Sequence, residues 1–453
     1  MTRAEELLAE LCERSFLSLW SYPSPYKDQG RKSLLADGKE LCDLLVIFDN
    51  HVVIFSSKEC AYKSNDNAIL NWTRWYRSAV ADSVKQLYGA EHWLRTQPHK
   101  VYLDKTCQHR LPVPLPTDVD MRVHRIAVAH GASQACYDAH GGTGALLIDS
   151  RIIGSAHSSS EAVPFAIGQI NPEKGFVHVL DDTTLFTVLQ SLDTISDFIN
   201  YLHKKEELFQ RPNFAVLASG EDDLLAYYLR NIDKQIDQHY FPVKEGSKGL
   251  GLRKGFWDDF INSPQFQRKR EADRVSYSWD KLIEHVWERT RKKRMKIPQE
   301  QWQEESILRL LAKESRINRR FLSKAFIEVI KRSMYEQRSV RVIEPIRDDR
   351  KAYVFMLLRE QDDLSESYYK IRQEMLQAYC LVVKYLFYNQ VDYIVGIAAE
   401  GGGYDVITTY DFVVRFGGSW EEGEKEQAEY FHQNGFLQEM RRTHWEEKEY
   451  PSE

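Results

Sequence analysis

The sequence predicts a multi-module α/β protein, and three observations carry that expectation. A chain of 453 residues is several times longer than one compact core needs, which favours about three domains. Its opening part runs helix, strand, strand, helix, strand, strand, the order of a small α/β unit. Its closing part runs strand, helix, strand, which implies a right-handed crossover within a parallel or mixed sheet.

The first helix is read from Leu8, Leu11, Cys12, Phe16 and Leu19, which recur at helical spacing beside a face carrying Glu6, Glu10 and Glu13. Pro23 and Pro25 are expected to stop it. In GKELCDLLVIFDNHVVIFSSKEC, two apolar runs, Asp43 to Phe48 and Val52 to Ser57, flank the turn formers Asp49 and Asn50. This is a hairpin pattern, and the near-continuous apolar character suits strands covered on both faces. From Ala68 to Arg95 a long helical pattern offers Trp72, Trp75, Ala79, Leu87, Ala90 and Leu94 as its packed side, with Arg74, Arg77 and Lys85 on another. Strands follow from Lys100 and from Arg122.

The chain is expected to divide into residues 1–130, a middle α/β module over 131–260, a basic helical region over 261–341 and a C-terminal α/β domain over 342–453. The middle module contains GALLIDS, GFVHVLDD and the helical LFTVLQSLDTISDFINYLHKKEELF. The basic region carries RKRE and RTRKKRMK with Trp279, Trp287, Trp302 and Tyr335 interspersed, a mixture suited to tracking a phosphate backbone. Glu284, Glu288, Glu304 and Glu305 partly neutralise it, so a helical bundle with a charged exterior is the alternative. The last domain reads as strand AYVFMLL, a helix from Tyr368 to Tyr388, strands in DYIVGIAAE and DFVVRF, and an acidic helical tail after Trp420.

Composition narrows the function classes. With 43% hydrophobic and 28% charged residues the chain is globular, not disordered. Its 61 basic and 67 acidic residues leave a formal charge of -6, so no global field draws a polyanion and any nucleic-acid contact is local. The six cysteines form no CxxC pair and no zinc-spaced cluster; four sit among apolar residues and read as buried thiols of a reducing cytoplasm. The start lacks the layout of a secretion signal and no run reaches the ~20 apolar residues of a membrane span, so a soluble protein without a membrane partner is expected.

The candidate chemistry lies at the hairpin. Asp43 enters its first strand and Lys58 leaves its second, so antiparallel pairing brings a carboxylate and an ammonium to one end of an apolar ribbon. A solvent-exposed pair at a sheet edge would be the bland outcome. Hydrolysis of a phosphodiester with a divalent ion needs carboxylates to hold the ion, a polarised water and a cation to meet the developing charge.

Asp43, the hairpin, Lys58 and the flanking helices resemble the PD-(D/E)XK phosphodiesterase superfamily, which includes restriction-type endonucleases. The resemblance covers about the first 105 to 130 residues and implies a restriction-endonuclease-like core within the α/β (α+β) chain, with Mg²⁺ or Mn²⁺ as cofactor. It implies that Asp43 ligates the ion and that Lys58 assists the attacking water or the transition state. The acid of the pattern two residues before the lysine is replaced by Ser56, a poor ligand for a hard cation. Glu13, Glu10, Glu40 and Glu59 could replace it, with Glu13 preferred for its place near the helix end. The helix after the hairpin resembles the one that packs behind the site in such nucleases, which makes Arg74, Arg77, Lys85 and Gln86 candidates for nucleic-acid contact. The whole chain also resembles an uncharacterised bacterial protein group sharing FLSLWSYP, GKELCDLL and LDTISDF. The implied activity is cleavage of DNA or RNA, in bacterial defence against phage or mobile elements, with a second copy or a defence-system protein as candidate partners. The competing expectation is a catalytically inactive nuclease-like module that binds or assembles, which Ser56 favours.

Other signals carry less. HGGTGALL lacks the lysine and spacing of a phosphate-cradling loop and reads as a tight turn, and Gly401 to Gly403 read as a loop after a strand. His124, His130, His140, His157 and His178 are dispersed without metal spacing, and no Gly-x-Ser-x-Gly elbow accompanies them, so a hydrolase triad is not expected.

Overall fold

The computed structural model describes residues 3–17, 20–30, 36–233, 238–294, 301–345, 350–360 and 366–451, without the side chains of 289–305 and 366. The side chains of the RTRKKRMK run and of Trp302, Glu304 and Glu305 lie outside the described residues, as does Leu19. The protein is mixed α/β and forms two compact units, 1–267 and 268–453, in place of the four segments expected from the sequence.

In the first unit, α1 (Arg3–Phe16) buries Leu8, Leu11, Cys12 and Phe16. It ends ahead of the two prolines, where Leu17 takes a left-handed conformation, φ 67°. Strand β1 (Ser21–Pro23) leads to the hairpin of β2 (Leu44–Phe48) and β3 (His51–Glu59). Asp49 at the turn has φ 52°, a conformation that short polar residues tolerate best. The long helical pattern folds as α2 (Ala68–Tyr76) and α3 (Asp82–Thr96), joined without a break by a π-helical turn over Arg77–Ala81. Next come β4 (Arg122–His130), α4 (Ser133–His140), β5 (Leu147–Ile153), β6 (Ala166–Gln169) and β7 (His178–Asp181). The unit closes with α5 (Thr184–Ser191), α6 (Ile195–Phe209), β8 (Ala215–Ala218), α7 (Glu221–Leu229) and β9 (Gly249–Gly251).

The first sheet has the order β1-β2-β3-β4-β7. The first three strands are antiparallel, β4 runs parallel to β3 and β7 parallel to β4. The GFVHVLDD run therefore completes the first sheet and no boundary falls at residue 130. Its pairing of His178 with Ile126 spans half a hundred residues, a non-local contact that no local pattern announces. One face of the sheet, with Leu45, Ile47, Val52, Ile54 and Ala127, packs under Trp72, Trp75, Ala79 and Leu87 of the α2–α3 arm. The other face meets α1, α5 and α6, where Phe198 lies 4.9 Å from Phe16 and 6.4 Å from Phe55 between ring centres. Both faces are thus covered, as the continuous apolar strands require. A second sheet, β9-β8-β5-β6, holds the rest of the middle segment. The HGGTG run ends α4 in turns with Gly141, Gly142 and Gly144 all at positive φ.

In the second unit, α8 (Tyr277–Arg294), α9 (Gln301–Ala312) and α10 (Arg316–Ser333) precede β10 (Arg338–Ile343), β11 (Lys351–Leu358), α11 (Glu366–Leu386), β12 (Tyr393–Glu400), β13 (Tyr410–Phe416) and α12 (Glu424–Gln433). The sheet order is β10-β11-β12-β13, with β11 and β12 parallel across the α11 crossover. The helical region belongs to this sheet, since α10 packs on β10 and β11. Much of its basic charge is internal. Arg316, Arg319 and Arg320 are buried, the first two on Asp280 and the third on Asp273 and Glu447. Lys269 is held between Asp273 and Glu449. These side chains neutralise buried acids and are not presented to a phosphate backbone. The cysteines are free thiols, with Cys12, Cys42, Cys136 and Cys380 buried. Among the described residues no helix is long and apolar enough to cross a membrane.

Candidate functional site

The carboxyl ends of the parallel strands β3, β4 and β7 and the amino end of the antiparallel β2 share one edge of the first sheet. Open α/β sheets present their ligand crevices at such an edge. Asp43, one step before the register pair Leu44–Phe55, lies across from Ser56. Its side chain is 6% exposed, and Oδ2 accepts the Ser57 backbone N–H at 2.5 Å. Burial pushes its pKa from an ordinary 3.8 to about 6; the Ser57 N–H and the Lys58 ammonium oppose that rise, while Glu40 and Glu5 add to it. Asp43 and Lys58 thus lie at the same end of the hairpin, and among the described residues no ion pair joins them.

The acid of α1 that acts on Asp43 is Glu5. Glu13 is exposed and not among the groups that shift Asp43, because eight residues of helix turn it by roughly 80° and move it about 12 Å along the axis from Glu5. Glu10 and Glu59 are exposed as well, and Glu40 is half-buried. Ser56 shares the α3-facing side of the strand with Ile54, and its hydroxyl donates to Gln86 Oε1 at 3.0 Å. Of the four expected nucleic-acid contacts, Gln86 alone is hydrogen-bonded into this edge: Arg74 and Arg77 are exposed on α2 and at its end, and Lys85 pairs with Asp82 in solvent. The π-helical turn over 77–81 inserts an extra residue into the helix, and so sets which side chains of α3 face the sheet.

Because the folded state binds the Asp43 proton more tightly than the unfolded chain does, stability from this group is greatest below about pH 4, declines as pH rises towards about 6 and is flat above that. Asp43→Asn is accordingly expected to raise unfolding stability at pH 7 by about 1–3 kcal/mol and to flatten the profile between those limits. Urea denaturation in EDTA across that range measures it; an Asn variant less stable than the parent contradicts the burial described.

Two constellations on the opposite face were not anticipated. At the same edge, Ser57 Oγ is 3.1 Å from His130 Nε2, and His130 Nδ1 is 2.8 Å from Asp182 Oδ1. Asp182 Oδ2 also accepts the Gly131 N–H at 2.9 Å and the Ser133 hydroxyl at 3.0 Å. Burial alone would raise the Asp182 pKa, but His130 and the Gly131 N–H outweigh it and hold the carboxylate below its usual range. Gly131 has φ 95°, and a Cβ there would fall 2.3 Å from the Cys60 carbonyl oxygen, so only glycine fits. A Ser–His–Asp chain therefore exists although its members carry no motif spacing. The Ser57 and Gly131 N–H groups that could meet an oxyanion already donate to Asp43 and Asp182, so the chain reads as a clasp across three strand ends.

At the other end of the strands, His124 and His178 meet Glu206 of α6, with Nδ1 of the first 3.1 Å and Nε2 of the second 2.9 Å from Oε1. Among the described residues this is the cluster whose three ligand atoms lie within 4.8 Å of one another. His124 and His178 are thus brought together by pairing of β4 with β7, which linear spacing could not reveal.

Comparison with protein-family models, curated proteins and solved structures finds no match to this chain.

Proposed function

We propose that the Asp43–Lys58 edge cleaves phosphodiester bonds of DNA or RNA with the help of Mg²⁺ or Mn²⁺. The observation that carries this reading is a buried carboxylate, Asp43, held by the Ser57 N–H at the hairpin end that also bears Lys58, at the carboxyl edge of the sheet. The first sheet is in keeping with it: behind α1, three antiparallel strands are followed, beyond the helical arm, by a strand parallel to the third, with the short strands Tyr26–Lys27, Lys39–Glu40 and Val101–Tyr102 in a separate small sheet.

The chemistry of the donors at this edge suits a hard cation. Asp43, Glu40 and Glu5 offer oxygen only, although among the described residues they form no group whose ligand atoms lie within 4.8 Å of one another; burial is the main cause of the raised Asp43 pKa, and the two glutamates add to it. Magnesium is commonly held by one or two carboxylates with substrate phosphates completing its shell, so three converging protein oxygens are not required. When bound, the ion would polarise a phosphoryl oxygen and a water. Lys58 supplies fixed positive charge where charge develops on the phosphoryl group, and the Ser57 N–H orients the Asp43 carboxylate. Arg74 and Arg77, exposed beside the site's helical arm, are free to meet a nucleic-acid backbone. A role in defence, with a second copy or a defence-system protein as partner, extends the resemblance alone.

Incubation of the full chain with plasmid and with single-stranded RNA in Mg²⁺ or Mn²⁺ tests this. Cleavage by the parent should fall on the order of 100-fold or more in both Asp43→Ala and Lys58→Ala; equal results from all three proteins reject it. A second reading, a nuclease-like module that binds without cutting, is favoured by Ser56, whose hydroxyl at the place of the usual acid is engaged by Gln86. Retention of a labelled oligonucleotide without cleavage would select it.

A further inference from the structure

We propose that His124, His178 and Glu206 form a site for a borderline transition-metal dication of the zinc class, which fastens α6 to the first sheet. The site is separate from the Asp43 edge: His51 to Ser57 on β3, and His124 to His130 on β4, each span about 20 Å of strand. It is independent of the phosphodiesterase reading.

Two neighbouring parallel strands and one helix build it. Alternation along β4 and β7 puts His124 and His178 on the face that α6 covers, and α6 lays Glu206 against them. Both histidines are buried, and the Glu206 side chain is 22% exposed, which leaves a side open to solvent. A tetrahedral zinc ion bound at about 2.0–2.1 Å to each donor sets donors roughly 3.3 Å apart. The observed 3.1 and 2.9 Å approach that spacing to within a few tenths of an ångström.

Three features favour a cation over a simple hydrogen-bonded network. First, both imidazoles aim at the same oxygen, Oε1, and do not divide between the two oxygens that a carboxylate offers. Second, among the described residues no Lys or Arg pairs with Glu206, so the two imidazoles are the groups that meet its largely buried carboxylate. Third, a supporting shell is present. The far nitrogen of His124, Nε2, is 3.0 Å from His51 Nδ1, and the two rings stack at 5.3 Å. With the proton on Nε2, His124 donates to His51 and turns a bare Nδ1 towards Glu206, the arrangement by which outer-shell partners fix a ligating tautomer. His178 uses Nε2 alone: its Nδ1 is buried without a hydrogen-bond partner among the described residues. Three protein donors leave a fourth position for water on the exposed side of Glu206.

The test uses the full chain stripped with chelator and then titrated with Co²⁺ and Zn²⁺. One equivalent of Co²⁺ is expected to bind and give the visible absorption of a low-coordinate nitrogen and oxygen site, to be displaced by Zn²⁺, and to resist a large excess of Mg²⁺, which separates it from any ion at Asp43. Glu206→Gln keeps the size of the side chain and its ability to accept hydrogen bonds, and His124→Asn removes the ring; each should weaken Co²⁺ binding on the order of 100-fold. Circular dichroism of the metal-free variants establishes that they fold. Absence of stoichiometric Co²⁺ uptake by the parent overturns the proposal, as does either variant, when folded, binding like the parent. A Co²⁺ spectrum abolished by excess Mg²⁺ assigns the ion to the carboxylate edge and overturns it as well. Failure of nuclease activity leaves this outcome untouched.

Discussion

Lys205→Met is expected to lower the stability of the first unit by about 3–5 kcal/mol, the cost of stranding a buried charge. Lys205 on α6 and Glu221 at the start of α7 are 3% and 4% exposed, with Nζ 2.5 Å from Oε2. The other carboxylate oxygen accepts the Tyr201 hydroxyl at 2.7 Å. Burial, reinforced by the nearby Glu221, pushes the Tyr201 pKa far up, so the phenol stays a donor and cannot supply the missing positive charge. Removing Lys205 alone leaves a carboxylate in an apolar interior with one hydrogen bond. Adding Glu221→Gln removes that charge and keeps an acceptor for Tyr201, so the double variant should recover most of the loss. Urea unfolding gives the totals, and hydrogen exchange of peptides from α6 and α7 shows whether the loosening is local. A single variant within about 1 kcal/mol of the parent would show that the pair is hydrated, in disagreement with its burial.

Glu314→Ala should have a comparable effect, about 3–5 kcal/mol, in the second unit. Glu314 is 2% exposed and sits just before α10, where its carboxylate is ion-paired to Lys351 at the start of β11. It also accepts the Tyr353 hydroxyl at 2.6 Å and the Asn318 amide at 2.9 Å. Burial alone would raise its pKa; the Lys351 ammonium and these donors outweigh burial and hold it below the usual range. A depressed folded pKa contributes stability above the unfolded value and loses it as pH falls, so the difference between parent and variant should shrink in acid. Hydrogen exchange in β11 and the first turns of α10 should report the loss. A difference between the two proteins that grows on acidification would contradict this electrostatic account.

Much of the local structure was legible from sequence because its causes are local. Asp49 and Asn50 between two apolar runs specify a two-residue hairpin turn, and the spacing of Trp72, Trp75, Ala79 and Leu87 specifies a helix face. The placement of Asp43 and Lys58 at one end of the hairpin follows from antiparallel pairing once the hairpin is recognised. The strand–helix–strand order after residue 350 likewise foretold the parallel pair β11–β12.

What escaped depends on contacts between distant segments. That Glu5 influences Asp43 depends on how α1 packs on the hairpin, and the engagement of Ser56 by Gln86 on the phase of a helix altered by a π turn. The arginines at 316, 319 and 320 look solvated in the sequence because their partners, Asp273, Asp280 and Glu447, lie far away along the chain.

By itself the amino-acid order determined much of the secondary structure, the turn chemistry and the placement of a carboxylate and an ammonium at one ribbon end, since each rests on periodicity or on neighbours within one hairpin. Only the tertiary structure decided that β7 joins the first sheet, and with that pairing it assembled both His124–His178–Glu206 and Ser57–His130–Asp182. Side chains from 28 to 82 residues apart along the chain are brought together only when strands settle in register, and register across a parallel sheet is set by packing of whole faces, not by any local signal.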